Sequence, residues 1–337
     1  MNNFNGYVED CQTSWRRTAP INQEHGWQNG KSYSWILPRE YWEQGLWPGI
    51  RSDSSNSLPA YLSKNNIHRH DGSHNLKSSW MLCANLYFPF RRDTALLANF
   101  LKDKVLSSVK TVNSVELEYA APSPLDPSTL LGEPHGQRGK NQTSPDVAFI
   151  VSLNDGSEGL ILTENKFTEH SFYACSGRDK TYENPDISRC MNFKLVMSNI
   201  KTNCYQTHWE HGDRTNRKYW DYLQFTDRAH VSLRRCPAAN AGYQLFRQQA
   251  LAEAIAKNGP YSKVVSCVAY DDRNDTLLSC LRSTGVQDFT QDWSPLFQGK
   301  AGFASFTHQQ WVNWVRHNDH TGSWTEWVKY IEDRYKL

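Results

Sequence analysis

Residues 146–166 of this chain, DVAFIVSLNDGSEGLILTENK, are two apolar runs on either side of Asn154-Asp155-Gly156. Run, tight turn and run predict a β-hairpin with strands near 146–153 and 159–166. Pro145-Asp146 opens the first run and Glu164-Asn165-Lys166 closes the second, with seventeen residues between Asp146 and Glu164. The hairpin therefore brings two carboxylates and an ammonium to one end. Burying such a set is costly unless the charges hold a metal or one another. A divalent-metal hydrolase requires that set, and an ordinary core does not.

With 337 residues the chain is long enough for one large domain or two modest ones. Its 13 Trp, 16 Tyr and 14 Phe, with 38% apolar and 21% charged residues, exclude a disordered protein. No apolar run is long enough to span a bilayer. The start, MNNFNGYVEDCQTSW, lacks the basic and apolar segments of a signal peptide, so the expected location is cytoplasmic. The eight cysteines are spread out, and without an export signal free thiols are expected. A net charge of +2 neither demands nor excludes nucleic acid, because a local basic channel binds phosphates on a near-neutral protein.

Along the chain, 1–73 reads as an irregular layer with short helices, one of them over 58–67, anchored by Trp27, Trp35, Trp42 and Trp47. Residues 74–88 crowd apolar side chains into a buried helix. Asp93 reads as the N-cap of a second helix with Leu96, Leu97, Phe100, Leu101 and Val105 on one face. Residues 115–119 alternate as a strand, and a Pro- and Gly-rich loop follows over 121–142. A polar insert spans 167–240, with a short helix near 187–197. Tyr243–Lys257 is the strongest helix pattern, ended by Gly259-Pro260, and 264–270 reads as a central strand. The tail from Phe306 to Tyr335 reads as helical, with Trp311, Trp314, Trp324 and Trp327 as anchors. The expected fold is α/β or α+β mixed.

Phosphodiester hydrolysis needs a dianionic transition state neutralised and a nucleophilic water produced. Asp146 and Glu164 offer hard oxygen ligands for Mg²⁺ or Mn²⁺, with the Asn165 carbonyl as a third. Lys166 stands two residues beyond Glu164, so both side chains share a strand face. Its ammonium is placed to orient or help deprotonate the attacking water. Glu133 is a candidate to swing in from the 121–142 loop, while Glu169 reads as solvent-facing. Arg138, Lys140, Arg178 and Lys180 flank the hairpin as candidate phosphate contacts.

Pro145-Asp146 and Glu164-Asn165-Lys166, set between a helix, a strand and a further helix and strand, resemble the PD-(D/E)xK nuclease superfamily. The resemblance covers roughly residues 74–270, and SSWMLCANLYFPF and VELEY are similar to a bacterial branch of it. It implies a restriction endonuclease-like core, a central mixed sheet flanked by helices. The core is placed at 74–290, with the 167–240 insert, the 1–73 layer and a 291–337 helical extension as decorations. It also implies a further carboxylate near the metal, for which Glu118 is the candidate, and a helix glutamine beside the lysine, for which Gln244 is the candidate. The first helix, 76–88, has no glutamate, which leaves the metal count open.

Some members of that superfamily carry zinc or an iron–sulfur cluster on cysteines. Cys175, Cys190, Cys204 and Cys236, with His208 and His211 nearby, lie in the insert, but no C-x-x-C pair occurs. Scattered buried thiols are the favoured expectation. The function expected is a metal-dependent nuclease acting on DNA, with RNA not excluded, plausible as a restriction or anti-phage defence enzyme. A homodimer and a defence-system partner are compatible with it. The alternatives are a catalytically silent nucleic-acid-binding or assembly module and a zinc- or iron-binding structural protein.

Overall fold

The computed structural model describes residues 4–178, 186–207 and 217–337; Lys180, His208 and His211 lie outside the described residues. A five-stranded mixed sheet organises the chain. Its strands, in spatial and chain order, are β1 (Val109–Leu117), β2 (Val147–Leu153), β3 (Glu158–Lys166), β4 (Lys263–Tyr270) and β5 (Gly302–Thr307). β1, β2 and β3 form an antiparallel meander, whereas β3, β4 and β5 run parallel. The fold is thus the mixed α/β sheet flanked by helices that the sequence led us to expect.

The period-2 alternation of strand side chains divides the core into two. Val115, Leu117, Val147, Phe149, Val151, Ile161, Val265, Cys267, Ala269 and Phe306 face one cluster. Ala148, Leu160, Leu162, Val264 and Val268 face the other. β3 is buried on both faces along almost its whole length, which is why it reads as a continuous apolar run. Gly156 in the β2–β3 turn has φ +84°, a conformation open to glycine at little cost.

On the first face lie α1 (Phe4–Thr18), α2 (Ser79–Tyr87), α3 (Ala95–Lys104), α5 (His308–Asn318) and α6 (Thr325–Tyr335). The second face is covered by α4 (Tyr243–Asn258) and the insert, which together carry the chain from β3 over to its parallel neighbour β4. The first and last segments are knitted together through buried Arg334. It donates to the Gln12 side chain (3.0 Å), to the Leu76 carbonyl (3.0 Å) and to the Gly45 carbonyl. Asn85 bridges the Gly45 carbonyl (3.0 Å) and the Tyr335 hydroxyl (2.9 Å).

Several local expectations change. Asp93 does not cap α3. Its carboxylate accepts from the Trp324 indole at 3.1 Å, and the helix begins after Thr94. Trp27 is 67% exposed on a two-stranded ribbon and anchors nothing. β1 starts at Val109 rather than at 115, because register shifts between Val109 and Thr111 and between Val112 and Ser114 break the alternation. β5, GFASFT, was not anticipated, since it alternates weakly at a sheet edge. The helical tail begins only at the Thr307–Gln310 capping box.

Candidate active site

Antiparallel pairing sets Val147 opposite Thr163, so Asp146 and Glu164 leave adjacent strands side by side. Glu164 and Lys166 share one face of β3 and are buried, with the Lys166 ammonium 2.9 Å from Glu164 Oε1. The same ammonium donates to Gln244 Oε1 at 2.8 Å. Gln244 thus reaches the lysine from the first turn of α4. Asp146 Oδ2 accepts from the Asn165 amide at 2.7 Å. The Asn165 side chain points to the other face, donating to the Ser79 carbonyl of α2 at 2.9 Å. Only the backbone of Asn165 serves the Asp146 side, and in a strand the carbonyl leaves on the same edge as the amide.

Asp146, Glu164, Lys166 and Gln244 line a cavity of about 220 Å³ together with Glu118, Lys140, Glu169, Arg247 and residues 141–144. Glu118 follows β1 with φ +48°, a conformation rare outside glycine. That turn places its buried carboxyl in the cavity beside Asp146. Glu169 also lines the cavity rather than facing solvent, and its carboxylate accepts from the Phe167 amide at 2.8 Å.

Glu133, Arg138 and Arg178 sit outside this cavity, and Lys140 reaches only its mouth. Glu133 is buried and held by the Thr143 amide (2.6 Å), the Thr143 hydroxyl (2.5 Å) and the Tyr219 hydroxyl (2.9 Å). It fastens the loop to the insert. Arg138 donates to the carbonyls of Leu117 (2.6 Å) and Glu118 (3.1 Å) and to Glu116 (3.2 Å), bracing the end of β1. Arg178 is tied to Asn240 and to the Ala239 carbonyl, and Lys140 is exposed at the cavity mouth.

Residues invisible to local sequence reading hold the segment behind the lysine. His308, fully buried at the start of α5, lies with Nε2 2.9 Å from the Lys166 carbonyl. Burial pushes its pKa down to about 4, so at neutral pH the neutral ring donates from Nε2. Asn274 donates to the carbonyls of Phe167 (2.8 Å) and Glu169 (2.9 Å). These contacts arise between segments more than 100 residues apart, which no local pattern records.

Burial first, and then repulsion from Glu164 for Asp146 and from Asp146 and Glu164 for Glu118, raises both carboxyls well above the usual carboxylate range. Burial alone would lower the Lys166 ammonium, but the charges of Glu164, Glu169 and Asp146 outweigh it and hold the lysine above its ordinary value. A carboxyl raised in the folded state contributes stability that is complete below its unfolded pKa and is lost as pH rises through its folded pKa. The metal-free protein should therefore lose stability as pH climbs above the ordinary carboxylate range. Glu118→Gln should raise its neutral-pH Tm by about 2–4 °C and flatten that pH profile. A thermal melt series over pH, in EDTA, checks this; an unchanged profile contradicts the charge assignment.

Among the described residues no group of three or more His, Cys, Asp or Glu side chains is already drawn in to hold a metal ion. Glu164 is turned to Lys166 and Asp146 to the Asn165 amide. The donors are nonetheless hard oxygens in one cavity, and Lys166 offsets only part of their mutual repulsion. That fits Mg²⁺, which keeps several waters and uses one or two carboxylates plus substrate oxygens, better than a closed protein cage.

The insert cysteines are not scattered. Cys175, Cys190, Cys204 and Cys236 line a single small cavity of about 20 Å³ as free thiols. The Gly177 amide donates to Cys175 Sγ (3.3 Å) and the Trp220 indole to Cys204 Sγ (3.2 Å). Burial pushes the Cys175 thiol up to about 12 and that of Cys190 up to about 11.

Residues 9–336 match the family described as REase-ARP, restriction endonuclease associating with ARP. The chain belongs to that restriction endonuclease family. Neither the curated proteins nor the solved structures give a match. The five-stranded mixed sheet with helices on both faces agrees with a restriction endonuclease-like core.

Proposed function

We propose that this restriction endonuclease family member is a PD-(D/E)xK nuclease that hydrolyses phosphodiester bonds in DNA with Mg²⁺ or Mn²⁺. The observation that carries the reading is the gathering of Asp146, Glu164, Lys166 and Gln244 in one buried cavity at the end of the β2–β3 hairpin. Buried charge without structural need points to chemistry.

In this reading Asp146 and Glu164 hold the metal, joined by the Asn165 backbone carbonyl, and Glu118 supplies a further carboxylate. The bound cation supplies Lewis-acid charge at the phosphodiester and a more acidic water. Lys166 would orient the attacking water and offset negative charge developing on the phosphate. Gln244 fixes the lysine by accepting from its ammonium. A larger recess of about 520 Å³, lined by Asn65, Ser123, His135 and Arg138 among others, shares Gln142 with the active cavity and offers the polymer a path away from it.

The family description names an association with ARP, which supports a partner protein for this chain and a role in restriction or defence. No described helix is long and apolar enough to cross a membrane. Purified protein should be incubated with supercoiled, linear and single-stranded DNA and with RNA, with Mg²⁺ or Mn²⁺ and with the partner present and absent. Metal-dependent cutting of DNA is expected. A preference for RNA would replace the substrate, and no cutting of any polymer in any combination would remove the nuclease reading.

A further inference from the structure

Arg247 lines the same cavity as Asp146, Glu164 and Lys166, yet it is neither part of the hairpin nor bound to it. It stands on α4 with Gln244 and Gln248, at the spacing that places three side chains on one helix face. Gln248 bolts that face to the sheet by donating to the carbonyls of Leu162 (3.2 Å) and Cys267 (2.9 Å) and to the Ser266 hydroxyl (3.1 Å). Gln244 is committed to Lys166 at 2.8 Å. Arg247 is different: among the described residues it makes no hydrogen bond and no ion pair, and its buried Nε has no partner. Its guanidinium rests over the Tyr243 ring, 4.8 Å from the centroid, which fixes its position without using any N–H. The carboxylate of Glu133, whose charge helps hold Arg247 protonated against burial, is already engaged by Thr143 and Tyr219.

A guanidinium Nε buried without an acceptor is costly, and the partly exposed terminal N–H groups, bound to no acceptor among the described residues, suit an anionic oxygen pair arriving from outside. The walls already carry the carboxylates of Glu118, Asp146, Glu164 and Glu169, so an anion enters only with cationic compensation. Lys166 is occupied by Glu164 and Gln244 and Lys140 is exposed at the mouth, which leaves Arg247, among the described residues, as the preplaced cation within the cavity. We infer that Arg247 is the substrate phosphate clamp, donating through its fork to non-bridging oxygens of a phosphodiester. This rests on the nuclease reading for the substrate but on Arg247's own geometry for the anion. A residue serving only as counter-charge to Glu133 would have no effect on binding phosphate.

The test uses full-length Arg247→Gln and Arg247→Lys. Binding of a fluorescein-labelled duplex is read over a salt series in the Lys166→Ala background, and inorganic phosphate with Mg²⁺ is read as a shift in Tm. Arg247→Gln should weaken duplex binding about 10- to 100-fold. It should also shallow the salt slope by about one phosphate contact. It should lose the phosphate-dependent Tm shift of the parent, and Arg247→Lys should recover part of each. If a parent that cuts DNA keeps its affinity, salt slope and phosphate shift in Arg247→Gln, the clamp is wrong while the nuclease reading stands. If the parent cuts nothing but loses its phosphate shift in Arg247→Gln, the clamp stands and the nuclease reading falls. Should Arg247→Gln lower the Tm in the absence of phosphate, Arg247→Lys decides: partial loss supports the clamp and full retention overturns it.

Discussion

Lys166→Ala is expected to lower the single-turnover rate of DNA cleavage by about 10²–10³-fold while leaving duplex affinity nearly unchanged. The ammonium is 2.9 Å from Glu164 and 2.8 Å from Gln244, buried where water does not screen it. In the proposed mechanism its charge acts on the developing transition state, so its loss would fall on the chemical step. Gln244→Ala should cost less, because the amide acts through the lysine rather than on the phosphate. Combined with Lys166→Ala, Gln244→Ala should add little, since two residues in one hydrogen-bonded unit are not additive. Full additivity of the pair would show that Gln244 touches the substrate independently. A Lys166→Ala rate within a few-fold of the parent would remove the lysine from the mechanism.

Trp311→Ala is expected to cost about 3–5 kcal/mol of stability, enough to threaten the fold of an average domain. Trp311 is fully buried in α5, with Phe90 at 4.8 Å and Phe100 at 5.0 Å between ring centroids. Its indole donates to the Leu86 carbonyl at 3.0 Å. Truncation therefore opens a cavity and orphans an acceptor at the end of α2, the helix that also receives Asn165 through Ser79. Trp311→Phe should recover part of the loss by filling most of the volume. Urea midpoints with unchanged m-values report it; a loss below about 1 kcal/mol would mean that α5 and α6 are peripheral to the core.

The sequence was most informative where one local pattern set one local outcome. The 146–166 hairpin turned at Gly156 as its Asn-Asp-Gly required, and the helix over 243–258 ended at Gly259. Glu164 and Lys166 share a face because strand periodicity allows nothing else. Gln244 reaching Lys166 was expected only through family resemblance, since no local rule says how α4 lies on β3. His308, Asn274 and Arg247 were missed because each acts across the fold: a histidine opening a helix or an arginine in YQLFRQQ reads as an ordinary cap or surface residue. Arg138 and Glu133 show the converse. As charged loop residues they suggested a phosphate contact and a carboxylate swung in from the loop, whereas in the structure they are engaged at the end of β1 and by Thr143. The Asn165 side chain likewise turned to α2, leaving its backbone as the part that faces Asp146.

Asp146 and Glu164 are proposed to hold a catalytic divalent cation beside Lys166. Cleavage of supercoiled plasmid over a Mg²⁺ titration, comparing the parent with Asp146→Ala, tests this proposal. The parent should nick or linearise DNA in proportion to bound Mg²⁺ and stop in EDTA, while Asp146→Ala, with a Tm close to the parent's, should be silent at every concentration. Equal cutting by the two proteins, or parent activity that persists in EDTA, would contradict the account.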